Sequence, residues 1–325
     1  MQSINKSLLK KKIFISGVSG YIGMSLYKNL KKFSKNVVAT TRDVKLIKFN
    51  SDFKKANYNK SSFWSDAIDY ADVIVHLSAD TSLDVEKASI KKNFDSNVLP
   101  VNLFIQESLK KKKKIQFIFS SSTTVAGLSK NKTITERVKP FPNSIYDKHK
   151  LINENNLINL SKKNKNISST ILRLSNVYGY SFLGSKNKKK GFLNFVMQEA
   201  LVGNEIKIYG DGKFYRDYIH IEDVITSLKA VMFKNESKSN IYNISTGKSY
   251  YLIDAVKMII NNANQITNLK SKINMIPFPV GLNDIEKRNY KISSNKIKKL
   301  KWFPKYTLKN GINTSLKQFL NDRDY

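Results

Sequence analysis

The sequence predicts an α/β fold in which a doubly wound parallel sheet is followed by a smaller carboxyl-terminal α/β lobe. Short, fully apolar runs recur through the first half, separated by stretches long enough for helices, the alternation expected of a parallel sheet covered on both faces. A glycine-rich turn follows the first of these runs. Beyond Val177 the alternation loosens, as a second and less regular lobe requires.

Taken in order, the first strand begins at Ile13 and runs into Gly17, and a helix follows over 21–33. Val37-Val38-Ala39-Thr40 reads as the second strand. After a variable segment come a helix over 63–68 and the apolar strand Val73-Ile74-Val75-His76-Leu77. A long helix over 98–109 leads into a strand over 115–119, and a helix over 146–160 leads into a strand over 169–174. The second lobe reads as a helix over 192–201, the strand Ile206-Lys207-Ile208-Tyr209, a loop with Gly210 and Gly212, and helices near Asp223 and Leu252. This gives a first domain over 1–175, to which parts of 213–245 return, and a second lobe formed mainly by 176–325. Residues 185–190 read as a mobile surface loop flanking a cleft. No internal repeat interrupts the scheme.

A chain of 325 residues, 41% of them hydrophobic, buries a sizeable core. No apolar run approaches the length that crosses a bilayer, and the apolar stretch after the basic amino terminus is too short for a signal peptide, so a soluble cytoplasmic protein is expected, with no membrane partner. The absence of cysteine rules out disulfides, thiolate ligands and a cysteine nucleophile. The three histidines, His76, His149 and His220, do not cluster as a metal site would. The net charge of +32 is large, but its lysines are spread over runs such as 110–114, 162–165 and 186–190, between elements and among many asparagines and isoleucines. That distribution describes a solvated surface rather than a dedicated nucleic-acid patch.

The chemistry is carried by three clusters. In Gly17-x-x-Gly20-x-x-Gly23, the first glycine turns the chain off the strand, the second lets backbone approach a pyrophosphate, and the third lets the helix pack close with its amino end facing phosphate. Tyr146 and Lys150, four residues apart on one helix face, pair a phenol with a cation that favours the phenolate, as proton exchange with a sugar or alcohol hydroxyl requires. Ser120-Ser121-Ser122-Thr123-Thr124 sets hydroxyls at the carboxyl edge of the sheet, where one serine can bind the reacting oxygen.

With these clusters the chain resembles the extended short-chain dehydrogenase/reductase family, in its nucleotide-sugar epimerase and dehydratase branch, similar to UDP-glucose 4-epimerases. The landmarks occur in the family's order: the glycine motif, His76-Leu77-Ser78-Ala79, Asn97, Phe119-Ser120-Ser121-Ser122, Tyr146-x-x-x-Lys150 and Arg173-Leu174-Ser175-Asn176-Val177-Tyr178-Gly179. Further on come Ile208-Tyr209-Gly210-Asp211-Gly212, the run from Arg216 to Val224, and Tyr242-Asn243-Ile244-Ser245-Thr246-Gly247. The resemblance implies a Rossmann-type sheet with a substrate lobe. It implies Tyr146 as acid/base, Lys150 as the residue that holds the nicotinamide ribose and tunes Tyr146, and Ser122 as the partner hydroxyl. Gly17, Ser19, Gly20, Tyr21, Ile22, Gly23, Arg42, Asn57, Tyr58, Leu77, Ser78, Ala79, Asn97 and Ser120 fall where the family holds its cofactor. Ser122, Asn176, Leu193, Arg216 and Arg288 fall where it grips the substrate, and dimerisation through the helices near Val98 and Tyr146 is usual.

Departures from the pattern narrow the function. Dehydratases of the branch carry Thr-Asp-Glu where this chain has Ser122-Thr123-Thr124, and the fucose-synthase type needs a cysteine. An NAD(P)-dependent epimerase acting at C4 of a nucleotide-diphosphate hexose through a keto-sugar remains, with an NADPH-dependent nucleotide-4-keto-sugar reductase as the alternative and a non-catalytic protein binding RNA or an anionic surface as a remote third. The second strand leads into Arg42, which suits the 2′-phosphate of NADP, and then Asp43, which keeps NAD open. Arg42 favours NADP.

Overall fold

The computed structural model of the chain describes residues 10–43, 52–81, 90–181, 190–233, 239–280 and 284–322. Strand β1 (Ile13–Ser16) is followed by helix α1 (Tyr21–Lys31), strands β2 (Val37–Thr41) and β3 (Phe53–Lys55), helix α2 (Ser61–Tyr70) and strand β4 (Val73–His76). Helices α3 (Ile90–Asn97) and α4 (Leu99–Leu109) lead to β5 (Ile115–Ser122). After the short strand β6 (Thr133–Ile134), helix α5 (Ile145–Lys163) leads to β7 (Ile167–Leu174).

Alternation along each strand sends successive side chains to opposite faces of the sheet. Ile13 and Ile15 of β1 and Val73 and Val75 of β4 join one buried cluster with Leu26 and Leu30 of α1. Phe14 and Ile74 point the other way, into a cluster with Trp64 and Ile68 of α2, Phe104 of α4 and Leu157 of α5. Helices on both faces of parallel strands are the doubly wound arrangement that the sequence predicts.

The remaining chain builds the second lobe and returns once to the first. It comprises β8 (Asn176–Tyr178), α6 (Phe192–Ala200), β9 (Ile206–Tyr209), β10 (Tyr215–His220), α7 (Ile221–Met232), β11 (Asn240–Ile244), β12 (Ser249–Tyr251), α8 (Leu252–Thr267), β13 (Ile273–Ile276), β14 (Lys291–Ile292), α9 (Asn295–Lys298) and α10 (Leu308–Asn321). Val224, Ile225 and Leu228 of α7 pack in the cluster beneath α1. Strand β11 pairs in parallel with β7 from Asn240↔Thr170 to Ile244↔Leu174, completing a seven-stranded sheet of order β11-β7-β5-β4-β1-β2-β3. A separate three-stranded sheet, β12-β10-β8, lies in the second lobe, whose core joins Val196 and Met197 of α6, Ile259 of α8, and Ile312 and Leu316 of α10.

The strand order reverses direction between β1 and β4, which both pair with their neighbours in register (Ile13↔Val37, Ile13↔Val73). In such a sheet the crevice beyond the carboxyl ends of these two strands is the binding site. No helix among the described residues is long and apolar enough to cross a membrane.

Candidate active site

A cleft of about 670 Å³ opens at that crevice, lined by the loops after β1, β2, β4, β5 and β7 and by the start of α5. Gly17 leaves β1 with φ of 80°, a left-handed conformation, and a Cβ there would stand 2.7 Å from the backbone nitrogen of Ser78. Only glycine brings the β1 and β4 loops this close. The Gly17 N–H donates to the Tyr58 hydroxyl at 2.7 Å, and that hydroxyl donates to the Thr40 carbonyl at 2.9 Å, so the tyrosine props the loop from below. Helix α1 begins at an N-cap glycine, Gly20, with no side-chain cap. Its first N–H groups and the positive end of its dipole are therefore left for an anion. A bare glycine turn, an uncapped helix and a cleft of this size fit a dinucleotide with its pyrophosphate on α1.

Across the cleft, α5 starts at Ser144, whose hydroxyl accepts from the Asp147 N–H at 3.0 Å. That register sets Tyr146 and Lys150 one turn apart toward the end of β5. The Lys150 Nζ donates to the Ser120 carbonyl at 2.6 Å and stands 5.5 Å from the centroid of the Tyr146 ring. The pairing alone predicts a lowered phenol. In the structure burial acts first on both groups: it pushes Tyr146 up, with Asp147 adding to the rise, and brings Lys150 down to about 7 against the charges of Glu154 and Asp147. Desolvation outweighs the local attraction because neither group keeps its water. One turn beyond Lys150, Glu154 is fixed by Arg173 of β7 at 2.6 Å and by the Ser121 hydroxyl at 2.5 Å.

The structure brings fifteen of the expected cofactor and catalytic residues to this one cleft: Gly17, Ser19, Gly20, Tyr21, Ile22, Gly23, Arg42, Tyr58, Leu77, Ser78, Ala79, Ser120, Ser122, Tyr146 and Lys150. Asn57 is exposed and outside its lining, its side-chain oxygen accepting from the Asn59 N–H. Asn97 is buried beneath the cleft, where its amide bonds both the N–H and the carbonyl of Asp80. Arg42 and Asp43 both line the cleft, and the Arg42 guanidinium lies 5.8 Å from the Tyr58 ring centroid.

A second group gathers in the other lobe. Arg288 donates to the Asn176 side-chain oxygen at 3.0 Å, Asn176 donates to the Asp217 carbonyl at 2.8 Å, and Arg216 donates to the Arg288 carbonyl at 2.6 Å. Glu286 approaches both guanidinium groups, at 3.9 and 3.6 Å. Leu193 instead packs in the lobe's apolar core with Tyr178 and Met197.

The sequence reading missed several contributors. Thr81, Ser175, Lys190 and Gly191 also line the cleft. Lys190 ends a lysine-rich run that gave no sign of which lysine borders the cleft, and the rest of the expected surface loop, 185–189, lies outside the described residues. Thr124 and Asp147 are also joined, the threonine hydroxyl donating to the carboxylate. No group of acidic or imidazole side chains that could hold a metal occurs among the described residues.

A model of the NAD dependent epimerase/dehydratase family matches residues 13–245. An ADP-L-glycero-D-manno-heptose-6-epimerase of Brachyspira hyodysenteriae is 27% identical over 265 residues, which cover 76% of this chain and 80% of the relative. A UDP-glucose 4-epimerase of Lactobacillus helveticus is 26% identical, over 83% of this chain and 84% of the relative. The crystal structure of a UDP-glucose 4-epimerase of Thermotoga maritima with UDP-glucose shares the fold, with a TM-score of 0.83 at 23% identity, over 96% of this chain and 99% of that one.

Proposed function

Because this chain belongs to the NAD-dependent epimerase/dehydratase family, we propose that it is a nucleotide-diphosphate-hexose epimerase acting at C4 of the sugar. The supporting observation is that Ser122, Tyr146 and Lys150 line one cleft with the glycine cradle, while threonines occupy positions 123 and 124. The Thr123 hydroxyl donates to the Leu174 carbonyl, so neither position offers the acid that elimination of water requires.

Bound along the cradle, the nicotinamide cofactor supplies the hydride acceptor and donor at C4. Tyr146 takes the proton of the C4 hydroxyl as that carbon is oxidised to the ketone, and returns it when the carbon is reduced on its other face. Lys150, when protonated, favours the phenolate that Tyr146 needs to act as base. Ser122 binds the reacting oxygen. Arg216, Arg288 and Asn176 are the partners proposed for the nucleotide diphosphate, since a diphosphate calls for charge-assisted donors. A cytoplasmic homodimer paired through α4 and α5 belongs to the same proposal.

Arg42 favours a second reading, an NADPH-dependent reductase of a nucleotide-4-keto-sugar, because its guanidinium lines the cleft beyond β2. The test is a panel of UDP-, GDP-, CDP- and dTDP-hexoses, with NAD or NADP, followed by NMR. Inversion at C4 with catalytic cofactor is expected, and Tyr146→Phe should lower turnover by roughly a hundredfold or more. Full turnover in that variant would overturn the mechanism. Stoichiometric consumption of NADPH with a 4-keto-6-deoxy sugar, and no inversion, would establish the reductase.

A further inference from the structure

An exposed arginine samples many rotamers, and holding it where a ligand needs it costs conformational entropy unless another group fixes it in advance. Arg42 is exposed at the edge of the cleft. Tyr58, beside it, is fixed. The tyrosine is 3% exposed and lies in T-shaped contacts with Phe63 at 5.2 Å and His76 at 6.3 Å, with the Trp64 ring at 6.2 Å. At its tip the hydroxyl is bound between the Gly17 N–H and the Thr40 carbonyl, and the Thr40 hydroxyl lies 3.2 Å away. A ring held along its edges and at its tip cannot turn aside. The Arg42 guanidinium lies over this ring, 5.8 Å from its centroid, within the range of cation–π attraction. Such an attraction holds the cation through the charge of the ring face and needs none of its N–H donors, whereas a carboxylate partner would take two of them.

We propose that Tyr58 is a positioning residue for cofactor choice: its ring holds the Arg42 guanidinium at the end of the cleft beyond β2, where the guanidinium favours a dinucleotide that carries a 2′-phosphate. NAD lacks that phosphate, so loss of the ring weakens NADP more than NAD. The hydroxyl has a separate task. It holds the Gly17 turn, which both cofactors share. The inference rests on the reading in which Arg42 meets the 2′-phosphate, and it holds for an epimerase or a reductase alike.

Calorimetric titration of the protein with NADP and with NAD separates the two tasks. Wild type should bind NADP more tightly, and Arg42→Ala should remove that preference. Tyr58→Leu and Tyr58→Met, which fill the space without a ring, should each narrow the ratio of the two affinities roughly two- to fivefold, the size of one exposed cation–π contact. Tyr58→Phe keeps the ring and should keep the ratio, whatever both cofactors lose together through Gly17. A ratio unchanged in either ring-free variant, or one narrowed in Tyr58→Phe as far as in Arg42→Ala, would overturn the proposal. Equal affinities in wild type, or a preference that survives Arg42→Ala, would instead overturn the reading of Arg42, and the role of Tyr58 would fall with it.

Discussion

A lysine amine buried beside a phenol has lost its hydration, and at Lys150 that loss exceeds the help of Glu154 and Asp147, bringing the group from its ordinary 10.5 to about 7. Between those values the unfolded chain binds a proton that the folded protein does not, so this group makes stability rise with pH, and its full cost is present below about pH 7. Lys150→Met keeps much of the apolar stem and removes the titration. The melting midpoint of the variant relative to wild type should therefore be more favourable at about pH 6 than at about pH 9. Equal differences at the two pH values would mean that the folded lysine keeps its proton. The positions of Lys150 and Tyr146 were legible because a helix puts residues four apart on one face. Their protonation was not, since burial is set by Phe119 and the rest of the sheet rather than by the four-residue spacing. The contact between Thr124 and Asp147 had no signal either: it joins two polar residues across a turn and leaves no periodic trace.

Elements whose sequences advertise burial were the legible ones. Strands β1 and β4 are short, largely apolar runs buried throughout, β5 and β7 mix apolar residues with serine and threonine but are buried over most of their length, and the order of these strands along the chain dictates a parallel sheet. Strand β3 escaped because only Phe53 of its three residues is buried, and α3 because its buried residues are the asparagines Asn93 and Asn97. The glycine motif is where sequence and element geometry agree most closely, and Gly23 shows why. It lies inside α1, where a Cβ would run into the Gly17 carbonyl and come within 2.9 Å of the Val18 Cα. On an exposed helix, glycine to alanine is worth about 1 kcal/mol of stabilisation. Here the obstacles are backbone atoms of the cradle and cannot rotate away. Gly23→Ala should thus destabilise the protein by about 1–3 kcal/mol in urea unfolding, as overpacking does, and weaken cofactor binding through the displaced start of α1. A gain in stability would show that α1 has room to move away from β1.

A buried carboxylate ties the two lobes together where Ile219 of β10 also joins the apolar core of the first lobe. Asp217 belongs to β10 of the small sheet, yet its Oδ1 accepts from the Ser175 hydroxyl just after β7 and from the Thr246 N–H just after β11, each at 3.0 Å, and its Oδ2 accepts from the Thr246 hydroxyl at 3.0 Å. Its own carbonyl holds Asn176, which in turn receives Arg288. One side chain thus ties the ends of two sheet strands to the strand that carries Arg216, and keeps the diphosphate partners proposed above in register with the cofactor cleft. Burial raises its carboxyl from 3.8 to about 6 in spite of these donors. The folded protein therefore holds the proton more tightly than the unfolded chain, and the stability this gives is complete below about pH 3.8 and lost as pH rises through about 6. Asp217→Asn keeps an acceptor for Ser175 and the Thr246 N–H, turns its amide toward the Thr246 hydroxyl, and carries no charge. Measured by urea unfolding, its stability relative to wild type should improve by on the order of 2–3 kcal/mol on going from about pH 4 to about pH 7.5. A relative stability that stays flat across that range would mean that the carboxylate is fully compensated by its donors, and that the junction between the lobes holds its charge at no cost.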